Sequence, residues 1–380
     1  MSTVPAGAHC GVSVVIPTVG RPSLAVLLDV LAAAQRGRRP TEVLVVDDRR
    51  GGGLALPVPA GLAGITRVLS GRGAGPAAAR NVGWRAARHP WVAFLDDDVR
   101  PDPDWFRRLD ADLDVADGVG GVQGRVRVPL PARRAPTDWE RCTHGLVAAR
   151  WITADMAYRR VALAAVGGFD ERFPRAYRED TELAYRVAAA GWRLAAGRRR
   201  VTHPVRPEGR WISLRAQRGN ADDALLRRLY GPRWRSMLDV PAGRRRIHAA
   251  TAAAGLTALS GCLVAALSTG SVRAVARSVA LAAGGAAALA TAEFAGGRIA
   301  PGPRTADEVG VMLVTSVLIP PLATAHWLRG WWRFRAARPW SAGTCVDAAS
   351  RPDMVPSRPW PAPMGPVPAG DRDGKIFIGR

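Results

Sequence analysis

The residues best suited to chemistry in this chain are three consecutive carboxylates, Asp96-Asp97-Asp98, directly behind the apolar run Trp91 to Leu95. Adjacent like charges repel, so such a triplet is costly unless water or a cation relieves it. At the carboxyl end of a buried strand, where open α/β sheets bind their ligands, a hard divalent cation bridging carboxylate and diphosphate oxygens gives that relief and stabilises a departing diphosphate. A solvated acidic turn is the plainer alternative. A second pair, Asp47-Asp48, ends the run Val43 to Val46 in the same way, and carboxylates there can accept hydrogen bonds from a base or ribose. Alone, an Asp-Asp behind a strand is common turn chemistry. Two such clusters in one domain are harder to dismiss.

Other polar groups are weaker signals. Gly71-Arg72-Gly73-Ala74-Gly75-Pro76 suggests a dinucleotide-binding loop, but Pro76 stands where the third glycine belongs and the loop follows the third strand. That reading is rejected. The helix opening at Pro76 more plausibly brings Arg80 and Asn81 to a nucleotide, with an ordinary surface arginine as the alternative. Asp180, in Arg178-Glu179-Asp180-Thr181-Glu182, falls just before or within a first helical turn, where an acid also serves as a cap. Glu182 and Arg186 fit an i,i+4 pair. His203 could join a metal site, although a lone loop histidine more often does not.

These groups need a scaffold, and the first 240 or so residues supply one by alternating short apolar runs with helical patterns, as an α/β domain does. Strands are expected at Val12 to Ile16 (ended by Pro17), Val43 to Val46, Ile65 to Leu69, Trp91 to Leu95 and Gly120 to Val128. Helices are expected at Leu24 to Ala34, Pro76 to Ala87, Asp104 to Leu113 and Glu182 to Ala190, the last ended by Gly191.

After Arg244-Arg245-Arg246 the composition changes. Residues 249–272 carry no charge over 24 positions and 309–328 none over 20, each long enough to cross a bilayer. Between them, 278–292 is an uncharged run of 15 residues within a possible short span, 278–296. A soluble helical bundle is the alternative. The division expected is a catalytic domain at 1–240, a membrane region at 247–338 and a Pro-rich disordered tail at 339–380. The positive-inside rule places the triple arginine in the cytosol, and two crossings return Arg329, Arg333, Arg335 and Arg338 to that side.

The net charge of +22 is nearly all arginine, Lys375 being the only lysine, and is spread along the chain with no nucleic-acid-binding motif. Nucleic acid is not the expected partner, and anionic lipid and nucleotide diphosphate explain the charge at least as well. Cys10, Cys142, Cys262 and Cys345 show no metal or redox spacing, which fits a reducing compartment. The first residues have no signal-peptide pattern, so the catalytic domain is expected on the cytosolic face of the cytoplasmic membrane.

The order of motifs carries a resemblance: Val-Ser-Val-Val-Ile-Pro-Thr at 12–18, Val-Val-Asp-Asp, Gly-Pro-Ala-Ala-Ala-Arg-Asn, Phe-Leu-Asp-Asp-Asp, Ala-Asp-Met-Ala-Tyr-Arg-Arg, Val-Gly-Gly-Phe-Asp-Glu-Arg-Phe and Glu-Asp-Thr-Glu-Leu-Ala-Tyr-Arg. Together, over roughly residues 11–205, they resemble inverting family-2 glycosyltransferases of the GT-A fold. The resemblance implies an α/β fold with a mostly parallel twisted sheet and helices on both faces. It implies transfer of a sugar from a nucleotide-sugar donor to a hydroxyl acceptor, with Mg2+ or Mn2+ assisting. Asp180 would be the catalytic base, and Asp96, Asp98 and His203 the metal ligands. Pro17, Thr18, Asp48, Arg80, Asn81, Asp96 and Asp97 would lie on the donor side, Asp48 at the nucleobase. Asp155, Gly168, Phe169, Asp170 and Glu179 would lie on the acceptor side. The membrane region favours a lipid-linked or cell-envelope acceptor. Two departures stand out: Arg49-Arg50 where the family commonly has Gly-Ser, and Asp155 where it commonly has Asn. A nucleotidyltransferase is the related alternative, though its glycine-rich loop after the first strand is poorly matched by Pro17 to Arg21. A non-catalytic sugar- or nucleotide-binding relative is the other, and it would be expected to lose the metal or base carboxylates that this chain keeps.

Overall fold

The computed structural model describes residues 11–34 and 42–341. Eight strands form one sheet: β1 (Val12–Thr18), β2 (Glu42–Asp47), β3 (Thr66–Ser70), β4 (Trp91–Leu95), β5 (Arg100–Pro101), β6 (Val119–Arg127), β7 (Asp155–Arg159) and β8 (Arg193–Thr202). Their spatial order is β3-β2-β1-β4-β7-β6-β8-β5. The first four run parallel, β7 enters antiparallel between β4 and β6, and β6 and β8 are again parallel. Ten helices belong to this part: α1 (Ser23–Ala34), α2 (Ala60–Ala63), α3 (Pro76–Ala86), α4 (Trp105–Leu113), α5 (Asp138–His144), α6 (Arg160–Val166), α7 (Glu179–Ala189), α8 (Ile212–Ala216), α9 (Asn220–Tyr230) and α10 (Trp234–Met237).

The central strands are buried on both faces, so they read as continuous apolar runs instead of alternating ones. Side chains of β1 nonetheless alternate between two layers. Val14 and Ile16 pack with Leu24, Leu28, Trp105 and Leu109 on one side. Val15 packs with Val46, Trp84, Phe94 and Leu183 on the other. Most expected elements fall within a residue or two of their observed bounds, and three differences matter. β1 does not stop at Pro17: the parallel register continues through Pro17–Val46 to Thr18–Asp47. α7 begins at Glu179, three residues earlier than expected, because Arg178 adopts a left-handed φ of 72° that turns the chain into the helix. β8 was not foreseen, since Gly197 and Arg198-Arg199-Arg200 disguise an extended segment as a polar loop.

The carboxyl-terminal part holds three long apolar helices, α11 (Arg245–Leu267), α12 (Gly270–Ile299) and α13 (Ala306–Arg333), which suggest membrane association. α11 stops at Leu267, short of the expected 272, where Gly270 at φ +58° helps reverse the chain. α12 has 30 residues, twice the uncharged run, since Arg273, Arg277, Glu293 and Arg298 interrupt its apolarity without breaking it. Together α11 and α12 make an antiparallel hairpin: Gly261 lies against Ala276 and Ala280, Gly284 against Ala258, and Arg244 pairs with Glu293 at the base. α13 keeps Pro320 and Pro321 inside the helix. Cys10, Cys345 and the tail beyond 341 lie outside the described residues.

Candidate active site

Strand β4 ends at Leu95, and the chain turns so that Asp96 and Asp98 face the same space above the sheet. Asp96 is the more exposed. Asp98 is buried, with His203 Nε2 3.5 Å from its Oδ1 and the Arg206 Nε 2.9 Å from its Oδ2. His203 follows β8 directly, and its backbone N–H donates to the Arg127 carbonyl at 2.8 Å, so the sheet itself sets its position. One ligand atom from each of Asp96, Asp98 and His203 lies within 4.8 Å of the others. Burial pushes the Asp98 carboxyl up, opposed by His203, as expected of a carboxylate whose charge is relieved only in part. Two carboxylate oxygens and an imidazole nitrogen suit Mg2+ or Mn2+, so the residues fit a divalent ion. Arg206 escaped the sequence reading, its only marker being its place three residues after His203.

A second group joins this cluster through Arg80. Its guanidinium, 1% exposed, donates through Nη2 to Asp96 Oδ1 at 2.7 Å and through Nη1 to Glu179 Oε1 at 2.8 Å. One cation from α3 thus ties the end of β4 to the start of α7. The remaining Glu179 oxygen accepts the Tyr177 N–H at 2.6 Å. Burial and the neighbouring Asp180 push Glu179 up, against the pull of Arg80. Asp180 is second in α7, where its Oδ1 accepts the Thr181 N–H at 2.7 Å. Burial also raises Asp180, opposed by that hydrogen bond and by Arg80.

Several residues expected at the site hold its walls. Asp97 accepts from Thr18 Oγ1 at 2.7 Å and Arg21 Nη1 at 2.8 Å, fastening the end of β1, which also carries Pro17, and the loop that follows it. Asp48 accepts the backbone N–H groups of Arg72, Gly73 and Gly75, so both its oxygens shape the loop before α3. Arg49, standing where Gly is common, grips Asp47 through Nε and Nη2, and Arg50 reaches the Gly73 carbonyl. Asn81 exchanges hydrogen bonds with the backbone of Phe169 and also accepts from Trp84 Nε1. Gly168 beside it, at φ +77°, has no room for a Cβ against Trp84 and Asn81. Phe169 lies under Arg80, whose guanidinium is 5.6 Å from the ring centroid. Asp170 binds Arg172 and caps its own turn.

Asp155 departs from its expected acceptor-side place. It is fully buried, with Arg199 Nε at 2.7 Å on one oxygen and Trp105 Nε1 at 3.0 Å on the other. Arg199 also contacts Asp112. The aspartate that replaces the usual asparagine therefore answers a buried arginine from β8, and it has no free oxygen to offer an acceptor.

The mixed sheet places the acidic cluster at its strand ends, and Arg80 links that cluster to α7. Residues 13–150 match the family model described as glycosyl transferase family 2. The pre-mycofactocin glycosyltransferases of two Mycobacterium tuberculosis strains are 33% identical over 209 residues, covering 49% of this chain and 41% of theirs. The chain thus spans less than half the length of these curated relatives. Among solved structures, a mannosyltransferase from Pyrobaculum calidifontis in complex with GDP-Man and Mn2+ is 19% identical, with 86% of this chain and 88% of that one covered and a TM-score of 0.47. The Mycobacterium tuberculosis glucosyl-3-phosphoglycerate synthase with Mn2+, UDP and phosphoglyceric acid is also 19% identical, with coverages of 62% and 81% and a TM-score of 0.41.

Proposed function

We propose that the protein transfers a sugar, with inversion, from a nucleotide-sugar donor to a hydroxyl acceptor presented at the cytosolic face of the cytoplasmic membrane, with a divalent ion assisting. The observation that carries this reading is the Arg80 bridge: it ties Asp96 of the Asp96–Asp98–His203 cluster to Glu179, the neighbour of Asp180. Asp96, Asp98 and His203 would hold Mg2+ or Mn2+, which when bound neutralises the donor diphosphate and its charge on departure. The residues of the chain do the rest. Asp180 accepts the proton of the attacking hydroxyl. Arg80 keeps Asp96 and Glu179 apart and ionically balanced, and the loops held by Asp48 and Asp97 form the donor walls. A lipid-linked or envelope-glycan acceptor is supported by the apolar helices that follow the domain.

The test is a panel of nucleotide sugars offered to the purified full chain with Mn2+ or Mg2+, reading donor hydrolysis and transfer. Calorimetry of the Asp98→Ala form with the preferred donor should show metal-dependent affinity lost, because the diphosphate then faces the remaining carboxylates unscreened. Unchanged affinity in that form, or full activity in excess chelator, overturns the metal assignment.

A further inference from the structure

Composition alone makes α13 as good a membrane span as α11 or α12. Its contacts say otherwise. Near its amino end, Asp307 pairs with Arg210, and Glu308 Oε1 accepts the backbone N–H of Asp138 at 2.9 Å. Near its carboxyl end, Gly330 packs directly on the backbone of Ala221, and the Trp331 carbonyl accepts from Arg228. Phe334, just beyond, sits in a core with Leu225, Leu229 and Trp234. Asp307 and Gly330 are 23 positions apart, about 35 Å of helix. A crossing helix of that length would put its two ends in opposite headgroup layers, about 30 Å of hydrocarbon apart. Both ends of α13 instead touch one globular domain.

The middle of the helix is fastened as well. Arg298, 4% exposed at the end of α12, donates to Thr315 Oγ1 at 2.8 Å and Ser316 Oγ at 3.0 Å, and reaches Asp138 Oδ2 at 2.8 Å. Were α13 to cross, this charged group would sit near mid-membrane, a depth that ionised side chains avoid. Held to Asp138 of α5, it marks the level of the domain surface. The opposite face of α13 shows Leu313, Val314, Val317, Leu318, Leu328 and Trp332 outward, as expected of a helix lying in the interface with its apolar side in the acyl boundary.

From these three fastenings we infer that α13 lies flat against the membrane surface, its outward face on lipid, and that the α11–α12 hairpin alone crosses the bilayer. α11, at 23 residues, is about 34 Å long, enough for one crossing. Arg273 and Arg277 then reach the far headgroups beside the 268–270 turn. The segment after α13, with Arg335 and Arg338, returns to the side of the catalytic domain, as the positive-inside rule favours. The inference rests on reading the three apolar helices as membrane-associated.

The test uses the full chain with its native cysteines changed to serine and one cysteine introduced per form: Asp117→Cys on the catalytic domain, Thr269→Cys at the hairpin tip, Arg304→Cys before α13, or Ala336→Cys after it. Sealed right-side-out and inside-out bacterial membrane vesicles are treated with a membrane-impermeant maleimide. Positions 117, 304 and 336 should label in one vesicle orientation and position 269 in the other. Labelling of 304 and 336 from opposite sides makes α13 a crossing helix and overturns the inference. So does labelling of 269 from the side of 117, or recovery of the unaltered chain in the soluble fraction. Should Arg304→Cys fail to accumulate, Pro301→Cys reports the same turn. Sugar transfer is scored separately in the same vesicles, so a failed topology and a failed enzymatic assignment give different results.

Discussion

At the scale of single residues, the proposed base Asp180 stands second in α7, where its Oδ1 accepts the Thr181 N–H. Two acids at the start of α7 face the favourable end of a helix dipole, yet burial raises both carboxyls above their ordinary values. Because Glu179 and Asp180 lie side by side, they titrate as a pair. A general base works deprotonated, so turnover should rise with pH through a limb above the usual carboxylate range, and the Asp180→Asn form should lose that limb. That form keeps the size of the side chain but cannot take the proton, so turnover should fall by about 10² to 10⁴ while donor affinity and melting temperature change little. A role limited to capping predicts the reverse: near-normal turnover, with a stability loss of roughly 1 kcal/mol in Asp180→Ala. Turnover, donor affinity and melting temperature measured on both forms separate the two. Retention of more than about a tenth of wild-type turnover by Asp180→Asn removes the base assignment.

At the scale of elements, the site is a joint between three segments distant in sequence. α3 supplies Arg80, the end of β4 supplies Asp96 and the start of α7 supplies Glu179. The left-handed Arg178 lets α7 begin early enough for Glu179 to meet Arg80. Removing the cation leaves the buried Glu179 carboxylate and the half-buried Asp96 without their shared partner, so Arg80→Met should lower stability by about 3 kcal/mol and abolish turnover. Arg80→Lys offers a single ammonium in place of a fork and should recover part of the stability but little activity. Denaturant melts with parallel assays decide this; a wild-type melting profile for Arg80→Met would show that the bridge carries no structural weight. The motifs themselves were legible in sequence. Their joining was not, because the partners are 16 and 99 residues apart and no local pattern records that separation. Asp155 shows the same limit from the other side: its replacement of asparagine is visible in sequence, but Arg199, the reason for it, becomes visible only when β8 lies alongside β6.

At the scale of the whole molecule, the end of the apolar helical part packs into a core with the amino-terminal part. Phe334 packs among Leu225, Leu229 and Trp234, so Phe334→Ala should destabilise the α9 region by about 3 kcal/mol, read as a lower melting midpoint of the detergent-solubilised protein. A cut at residue 243 removes this side chain, and the truncated chain should unfold more readily than the intact one. Replacing 249–292 with a short linker keeps α13 and removes most of the α11–α12 hairpin. That form should still sediment with membranes but be released by alkaline carbonate, whereas the full chain resists it; equal resistance would mean that α13 itself is embedded. The sequence by itself determined the α/β class, the strand ends that carry acids and the presence of long apolar segments. Each of these follows from local composition and short-range periodicity. Only the tertiary structure decided which acids gather around His203 and Arg80, which are spent on loops or on Arg199, and that both ends of α13 contact the amino-terminal part. Those outcomes depend on contacts between segments far apart in the chain, where a carboxylate's partner, and not its neighbours in sequence, fixes what it can do.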